Sequence, residues 1–179
     1  MKIFKKFFLI TFISSTLFAF ENLPNGYKNI SLGMTLDETK TELMKDSDFG
    51  FHGDRDVSLT PNKKQYIIET DSESGLGSNF LQHCYFQFNQ DKLYIITINI
   101  NTERMAYYSV FNTLSEKYGK PNSLNPQVAK WENEDIILSL EKPLCLKYMD
   151  KKTFIELQNY SNISASAAEQ TKKMFLDGL

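Results

Sequence analysis

The stretch that decides the fold is "NFLQHCYFQFNQDKLYIITINI", residues 79–100, which predicts a β-hairpin. Side chains alternate along its first arm in two sets, Phe80, Cys84, Phe86 and Phe88 on one face and Leu81, His83, Tyr85 and Gln87 on the other. The second arm, residues 93–100, is rich in Ile, Tyr and Thr, which suit a pleated and half-buried surface. The "NQDK" segment supplies the turn between the arms. We therefore expect an antiparallel pair of strands in the middle of the chain.

A short helix is predicted upstream of this hairpin. In "TLDE", Thr35 and Glu38 have the spacing of a capping box, in which two side chains satisfy free backbone N–H groups at a helix start. The helix is expected to end near Asp46. Its predicted apolar face consists of Leu36, Leu43 and Met44.

A longer helix is predicted directly after the hairpin. Asn101 or Thr102 is its expected N-cap. Its apolar stripe recurs with helical spacing and consists of Tyr107, Val110, Phe111, Leu114 and Tyr118. Gly119 suits a helix C-cap, and Pro121 prevents the helix from continuing. The segment "YGKP" therefore predicts a helix stop and not a site.

The other segments complete an α+β pattern. "VSLTP" and "QYIIET" predict strands before the hairpin, and "VAKWE", "IILSLE" and "LCLKYM" predict three more after the second helix. Asp150 is the expected cap of a helical tail, in which Ser166 and Glu169 form a further capping box. Because strands and helices come in separate runs, we expect an α+β fold. It would consist of two tandem helix-plus-antiparallel-sheet units, residues 21–100 and 101–149, and a C-terminal helical segment, residues 150–179.

The beginning of the chain predicts export. Lys2, Lys5 and Lys6 precede an uncharged apolar run, residues 7–18, and Ala19 offers a small residue for cleavage. The run is shorter than the roughly 20 apolar residues that span a bilayer. We expect residues 1–20 to be a signal peptide and the mature protein to be periplasmic or secreted. An uncleaved N-terminal anchor is the alternative.

Charge limits the classes of partner. Loss of the three N-terminal lysines would move the formal net charge from −2 to about −5. Phosphate binding depends on clustered Lys and Arg, so nucleic acid is not an expected partner. The mature chain has no apolar segment long enough to span a membrane, and no dinucleotide or P-loop spacing, so we expect neither a membrane span nor a cofactor. The oligomeric state is not predicted.

Two motifs resemble a known family. "ISLGMTLDETKTEL" is similar to the helix start of the BamE (SmpA/OmlA) outer-membrane assembly proteins, and "LSEKYGKP" followed by a Trp strand is similar to their helix end and first strand. The same superfamily includes the β-lactamase-inhibitor-protein type of tandem repeat. The resemblance covers about thirty residues. It implies a non-catalytic binding or assembly function, and it carries over no reactive residues.

One loop is a candidate for metal binding. His52, Asp54 and Asp56 alternate in "FHGDRDVS", so an extended backbone would point all three the same way. An imidazole and two carboxylates suit a divalent metal. The alternative is an ordered polar turn, which the neighbouring glycines favour. A small periplasmic hydrolase or ligand-binding protein that uses residues 52–56 is accordingly the alternative function.

The two cysteines and the aromatic residues give the remaining candidates. His83 and Cys84 are neighbours in a strand and must face opposite ways, which excludes a thiol–imidazole pair. Cys84 and Cys145 are expected to be separate thiols, with a disulfide as the alternative, since an exported location permits one. Tyr108 and Trp131 are candidates for a partner surface. The main functional hypothesis is an exported, non-catalytic envelope protein that binds another envelope protein in assembly or scaffolding.

Overall fold

The computed structural model describes residues 23–59, 65–72, 80–161 and 176, and these residues form an α+β fold. The strands are β1 (Gly26–Tyr27), β2 (Ile30–Ser31), β3 (Val57–Leu59), β4 (Gln65–Asp71), β5 (Leu81–Asn89), β6 (Lys92–Ile100), β7 (Ser123–Leu124), β8 (Val128–Glu132), β9 (Ile136–Glu141) and β10 (Cys145–Asp150). The helices are α1 (Leu36–Lys45), α2 (Tyr107–Tyr118) and α3 (151–161). Two 3-10 turns, Ser47–Phe49 and Asp54–Asp56, lie between α1 and β3.

One antiparallel sheet of eight strands forms the centre of the protein, in the order β3-β4-β5-β6-β10-β9-β8-β7. We call the face that α1 and α2 cover the inner face and the opposite one the outer face. Residues of both helices pack against the main core on the inner face, whereas Phe154 of α3 packs against Ile95, Ile137 and Met149 on the outer face. The sheet therefore carries helices on both sides.

The start of α1 is joined to the hairpin. Thr35 and Glu38 form the predicted capping box, with the Thr35 N–H donating to Glu38 Oε2 at 2.8 Å. Gly33, whose φ of 87° suits glycine, donates its N–H to Leu93 O at 2.7 Å, and the Leu93 N–H donates to Met34 O at 2.8 Å. The "GMT" motif therefore fixes α1 against the first residues of β6.

The predicted apolar face of α1 is partly wrong. Leu43 is buried, but Met44 is 66% exposed. Thr39 takes the inward position instead, and its hydroxyl donates to Thr35 O at 2.8 Å. A threonine can line this core because the helix backbone accepts its only hydroxyl proton.

The hairpin of β5 and β6 is confirmed, with Gln90 and Asp91 at positive φ in the turn. Its predicted alternation fails at one end. The register shifts between Leu81 and Cys84, so Leu81 is buried and Phe80 is 43% exposed, the reverse of the prediction. A bulge of this kind exchanges the two faces of a strand.

Helix α2 begins later than predicted and ends where predicted. Its N-cap is Ala106 and not Asn101, because Asn101 closes a separate turn by accepting the backbone N–H of Arg104 at 3.2 Å. At the other end Gly119 is the C-cap, with φ of 74°. The carbonyl of Gly119 accepts the indole N–H of Trp131 at 2.8 Å, which joins the helix end to β8. This segment is a structural junction.

The C-terminal part is described only as far as α3, apart from residue 176. Asp150 Oδ1 accepts the Thr153 N–H at 2.8 Å, which confirms the predicted cap. The predicted signal peptide, residues 1–20, and the capping box of Ser166 and Glu169 lie outside the described residues. Among the residues that were described, no helix has both the length and the apolar character needed to cross a bilayer.

Candidate functional site

Only two of the three candidate metal ligands lie together, because His52 Nδ1 is 3.4 Å from Asp56 Oδ2 whereas Asp54 pairs with Lys40. The segment is a 3-10 turn at Asp54–Asp56, so the extended backbone on which the prediction depended is absent. Lys40 donates to Asp54 at 2.8 Å, and this hydrogen bond lowers the pKa of the Asp54 carboxyl. Asp56 instead accepts the backbone N–H of His52 at 2.6 Å. Within the described part of the chain, no three His, Cys, Asp or Glu side chains are grouped so as to hold a metal ion.

The two cysteines are free thiols on either side of β6. Cys84 pairs with Ile98 from one neighbouring strand, and Cys145 pairs with Asn99 from the other. Two strand spacings amount to about 10 Å, which exceeds the Cα separation that a disulfide spans. Burial raises the pKa of the Cys84 thiol to about 11 and also raises that of Cys145, which disfavours the nucleophilic thiolate. His83 is exposed while Cys84 is buried, so they do not face each other.

The two aromatic candidates differ in exposure. Tyr108 is 71% exposed, as a partner contact requires. Trp131 is completely buried, and its ring packs against Phe111 with centroids 6.0 Å apart. Trp131 is therefore part of the inner core and cannot belong to a partner surface. Its place in β8, between the outward-facing Lys130 and Glu132, determines this orientation.

One cleft lies beside α1, between that helix and the turn of the hairpin, and is lined by Gly33, Met34, Asp37, Glu38, Thr41, Glu42 and Lys92. Two of its three acidic side chains have structural roles. Glu38 belongs to the capping box, and Glu42 accepts from Lys45 at 2.6 Å. This cleft is explained by the helix that borders it.

A second cleft, of about 330 Å³, lies on the outer face over β6, β10, β9 and β8. We call it the outer cleft. One end is apolar, where Ile95, Ile137 and Met149 lie side by side on adjacent strands under Phe154. Its complete lining is Gln87, Ile95, Thr97, Val128, Lys130, Ile137, Ser139, Glu141, Lys147, Met149 and Phe154. Its volume lies at the lower end of the range of ligand pockets, roughly 300–1,000 Å³.

The other end of the outer cleft is polar and is held by hydrogen bonds. Lys147 Nζ donates to Glu141 Oε2 at 2.6 Å, and the buried Ser139 hydroxyl donates to Glu141 Oε1 at 3.0 Å. Both carboxylate oxygens are thus occupied. Tyr94 extends the same face by donating to Gln87 at 3.4 Å, and burial raises the pKa of its phenol. The cleft combines an apolar floor with an ordered polar wall.

Lysine side chains outnumber the carboxylates that pair with them beside this cleft. Lys130 Nζ lies 3.2 Å from Glu132 Oε2, and Lys151 Nζ lies 3.7 Å from the same atom. One carboxylate therefore serves two ammonium groups. With Lys147 balanced by Glu141, these three lysines and two glutamates together carry one net positive charge. In that respect they differ from the chain as a whole, whose formal net charge is −2.

One signal for this site is visible in the sequence, the unbroken apolar start of "IILSLE". In β9, five consecutive residues from Ile136 to Leu140 are buried, which is typical of a strand covered on both faces. Simple alternation along this strand would place Ile136, Leu138 and Leu140 on one face and would leave Ile137 outside the core. The lysine excess was not predictable, because it depends on which strands are neighbours.

The comparisons with known proteins identify a family. The model of the TP0088 domain matches residues 25–160, about three quarters of the chain. The chain therefore belongs to the TP0088 domain family. Neither the curated proteins nor the solved structures contain a significant match to it.

Proposed function

We propose that this TP0088-domain protein is an exported, non-catalytic binding module of the cell envelope, which contacts another envelope protein in assembly or scaffolding. The observation that carries the proposal is the outer cleft, where an apolar floor lies next to Lys130, which shares the carboxylate of Glu132 with Lys151. An apolar pocket with a few oriented polar groups is the usual form of a binding site. The ordered Lys147–Glu141–Ser139 wall would give such a site its orientation.

We also propose that the chain consists of the two tandem units expected from its sequence, residues 21–100 and 101–149, with the helical segment 150–179 after them. The strand order supports this. Each of α1 and α2 is followed by four strands, β3 to β6 and β7 to β10, that pair in chain order. The two sets join through β6 and β10, which are the last strand of each set. An antiparallel joint between corresponding strands is what a pair of units related by a twofold axis would form.

The proposed role follows the resemblance to the BamE superfamily, and the two similar motifs support it through the junctions they form. "GMT" joins α1 to Leu93, and the Gly119 carbonyl joins α2 to Trp131. Neither junction places a reactive group at the surface. The proposed export depends on the basic and apolar residues 1–20 of the sequence. The partner would therefore be a protein of the periplasm or the envelope.

Site-specific photocrosslinking in the cell tests this function. A photoreactive amino acid replaces Val128, which lines the outer cleft, and in a matched control it replaces Asn112, which is exposed on α2. We expect one discrete adduct with an envelope protein from position 128 and none from position 112. Equal adducts from both positions, or no adduct from position 128, would overturn the proposal.

A further inference from the structure

We infer that the outer cleft binds a segment of the partner protein in which a carboxylate side chain lies two or three residues from a large apolar side chain. This inference rests on the proposed function and deepens it. Three features of the cleft carry it, namely its apolar end, Lys130 with its shared carboxylate partner, and the distance between them.

The apolar end determines one half of the ligand. Ile95, Met149 and Ile137 occupy matching register positions on β6, β10 and β9, so their side chains form one continuous strip. Phe154 packs against this strip from α3. Ile95, Met149 and Ile137 keep only 9%, 8% and 6% of their surface exposed, so a large apolar side chain placed here would cover this remaining edge together with the half-buried Phe154. Such burial contributes favourably in proportion to its area.

The charged end determines the other half. Lys130 is the lining lysine whose carboxylate partner, Glu132, is shared with a second lysine. Its side chain is 36% exposed, so an incoming carboxylate reaches it without displacing the core. Lys147 is different, because Glu141 already accepts from it at 2.6 Å. A single negative charge on the ligand would therefore pair with Lys130.

The distance between the two ends determines the spacing in the ligand. Lys130 pairs with Ser139, and Ile137 lies two residues further along β9, with Met149 on the next strand. Strand geometry places these positions roughly 8–12 Å from Lys130. An extended chain covers about 3.3 Å per residue, so two or three residues bridge the gap. A small acidic molecule without this length would not reach both ends.

Titration with short peptides, followed by NMR, tests the inference independently of the natural partner. The probe is the peptide acetyl-Asp-Ala-Phe-amide. It is added to isotope-labelled protein that has been purified in its mature form from the cells that express it. Two control peptides replace Asp by Asn or Phe by Ser. We expect the acetyl-Asp-Ala-Phe-amide peptide to change the NMR chemical shifts of residues in β6 and β8–β10 only. Each control peptide should bind about threefold more weakly. Lys130→Gln should weaken the first peptide about threefold, whereas the matched variant Lys120→Gln, at an exposed position away from the cleft, should not.

The outcomes separate this inference from the proposed function. Equal binding of the Asp and Asn peptides would overturn the inference. It would also be overturned if dodecanoate, a carboxylate on a plain hydrocarbon chain, caused NMR chemical-shift changes in the protein while none of the peptides did. Shifts that appear on concentrating the protein alone would overturn it as well, by indicating a second copy as the occupant. If position 128 still crosslinks to one envelope protein in any of these cases, the proposed function stands and only the ligand chemistry is wrong. If position 128 gives no such adduct, the proposed function itself is overturned.

Discussion

Replacement of Trp131 by Phe should destabilise the protein by about 2–3 kcal/mol. The change removes the indole N–H that donates to Gly119 O at 2.8 Å, at a residue with no exposed surface. Loss of a hydrogen bond with its acceptor left unpaired costs about 1–2 kcal/mol. The smaller ring adds about 1 kcal/mol for lost contacts and the remaining cavity. For a chain of this length, such a loss corresponds to a Tm lower by roughly 4–12 °C.

Urea unfolding followed by far-UV circular dichroism is the suitable assay. Trp131 is the only tryptophan in the chain, so intrinsic fluorescence cannot be compared between the two proteins. The control is Phe111→Leu, which alters the ring packed against Trp131 but keeps the hydrogen bond to Gly119. Hydrogen exchange at the end of α2 should accelerate in Trp131→Phe and not in the control. A cost below 1 kcal/mol for Trp131→Phe, or equal exchange in the two variants, would refute the role of this bond as a helix–strand junction.

Three further predictions follow from the fold. Thr35→Ala should lower the free energy of unfolding by about 1 kcal/mol, measured by urea titration, because it removes the capping box with Glu38; an unchanged midpoint would contradict this. Lys28 donates to Asp46 and Asp48 at 2.8 and 2.6 Å, and although burial opposes the charge, these bonds raise the pKa of its ammonium. Lys28→Met should therefore destabilise the protein in low salt by more than in 1 M salt, and a loss independent of salt would exclude the ion pairs as its cause. Cys84 keeps its proton to about pH 11 in the folded state, whereas an unfolded thiol loses it near pH 9. Stability contributed by the buried thiol, about 2–3 kcal/mol, is therefore complete below pH 9 and is lost as the pH rises to 11. Cys84→Ala should flatten this part of the pH profile, and an identical slope in both proteins would contradict the assignment.

Local signals predicted the elements of this fold well, because each depended on neighbours in sequence. The Thr35–Glu38 cap and the Gly119 helix end are backbone features that a few residues determine. The errors had tertiary causes. Phe80 and Leu81 exchanged faces because a bulge shifted the register. Met44 is exposed because Thr39 could satisfy its hydroxyl within the helix and take the buried place.

The candidate site was not predictable in the same way. In the "HGDRD" loop a 3-10 turn leaves His52 beside Asp56 but takes Asp54 away to pair with Lys40 of α1, 14 residues earlier in the chain. Trp131 was a surface candidate in the sequence and is a core residue in the fold. The outer cleft assembles side chains from β5, β6, β8, β9, β10 and α3. Only the sheet order brings these strands together, and that order follows from the pairing of β6 with β10 across more than forty residues.

The two faces of the sheet suggest where function resides. On the inner face the conspicuous sequence motifs have structural roles. The backbone of Gly33 joins α1 to β6, and the carbonyl of Gly119 joins α2 to β8 by accepting the indole N–H of Trp131. On the outer face, Ile137 in the middle of β9 is buried although alternation alone would make its position polar. An apolar row there costs solubility unless something covers it, and Phe154 covers one end. In the polar wall beside it, Ser139 and Lys147 occupy both carboxylate oxygens of Glu141. We propose that this arrangement next to an apolar floor serves a bound segment, and for this reason variants in the outer cleft, and not in the motifs that resemble a known family, should separate binding from folding.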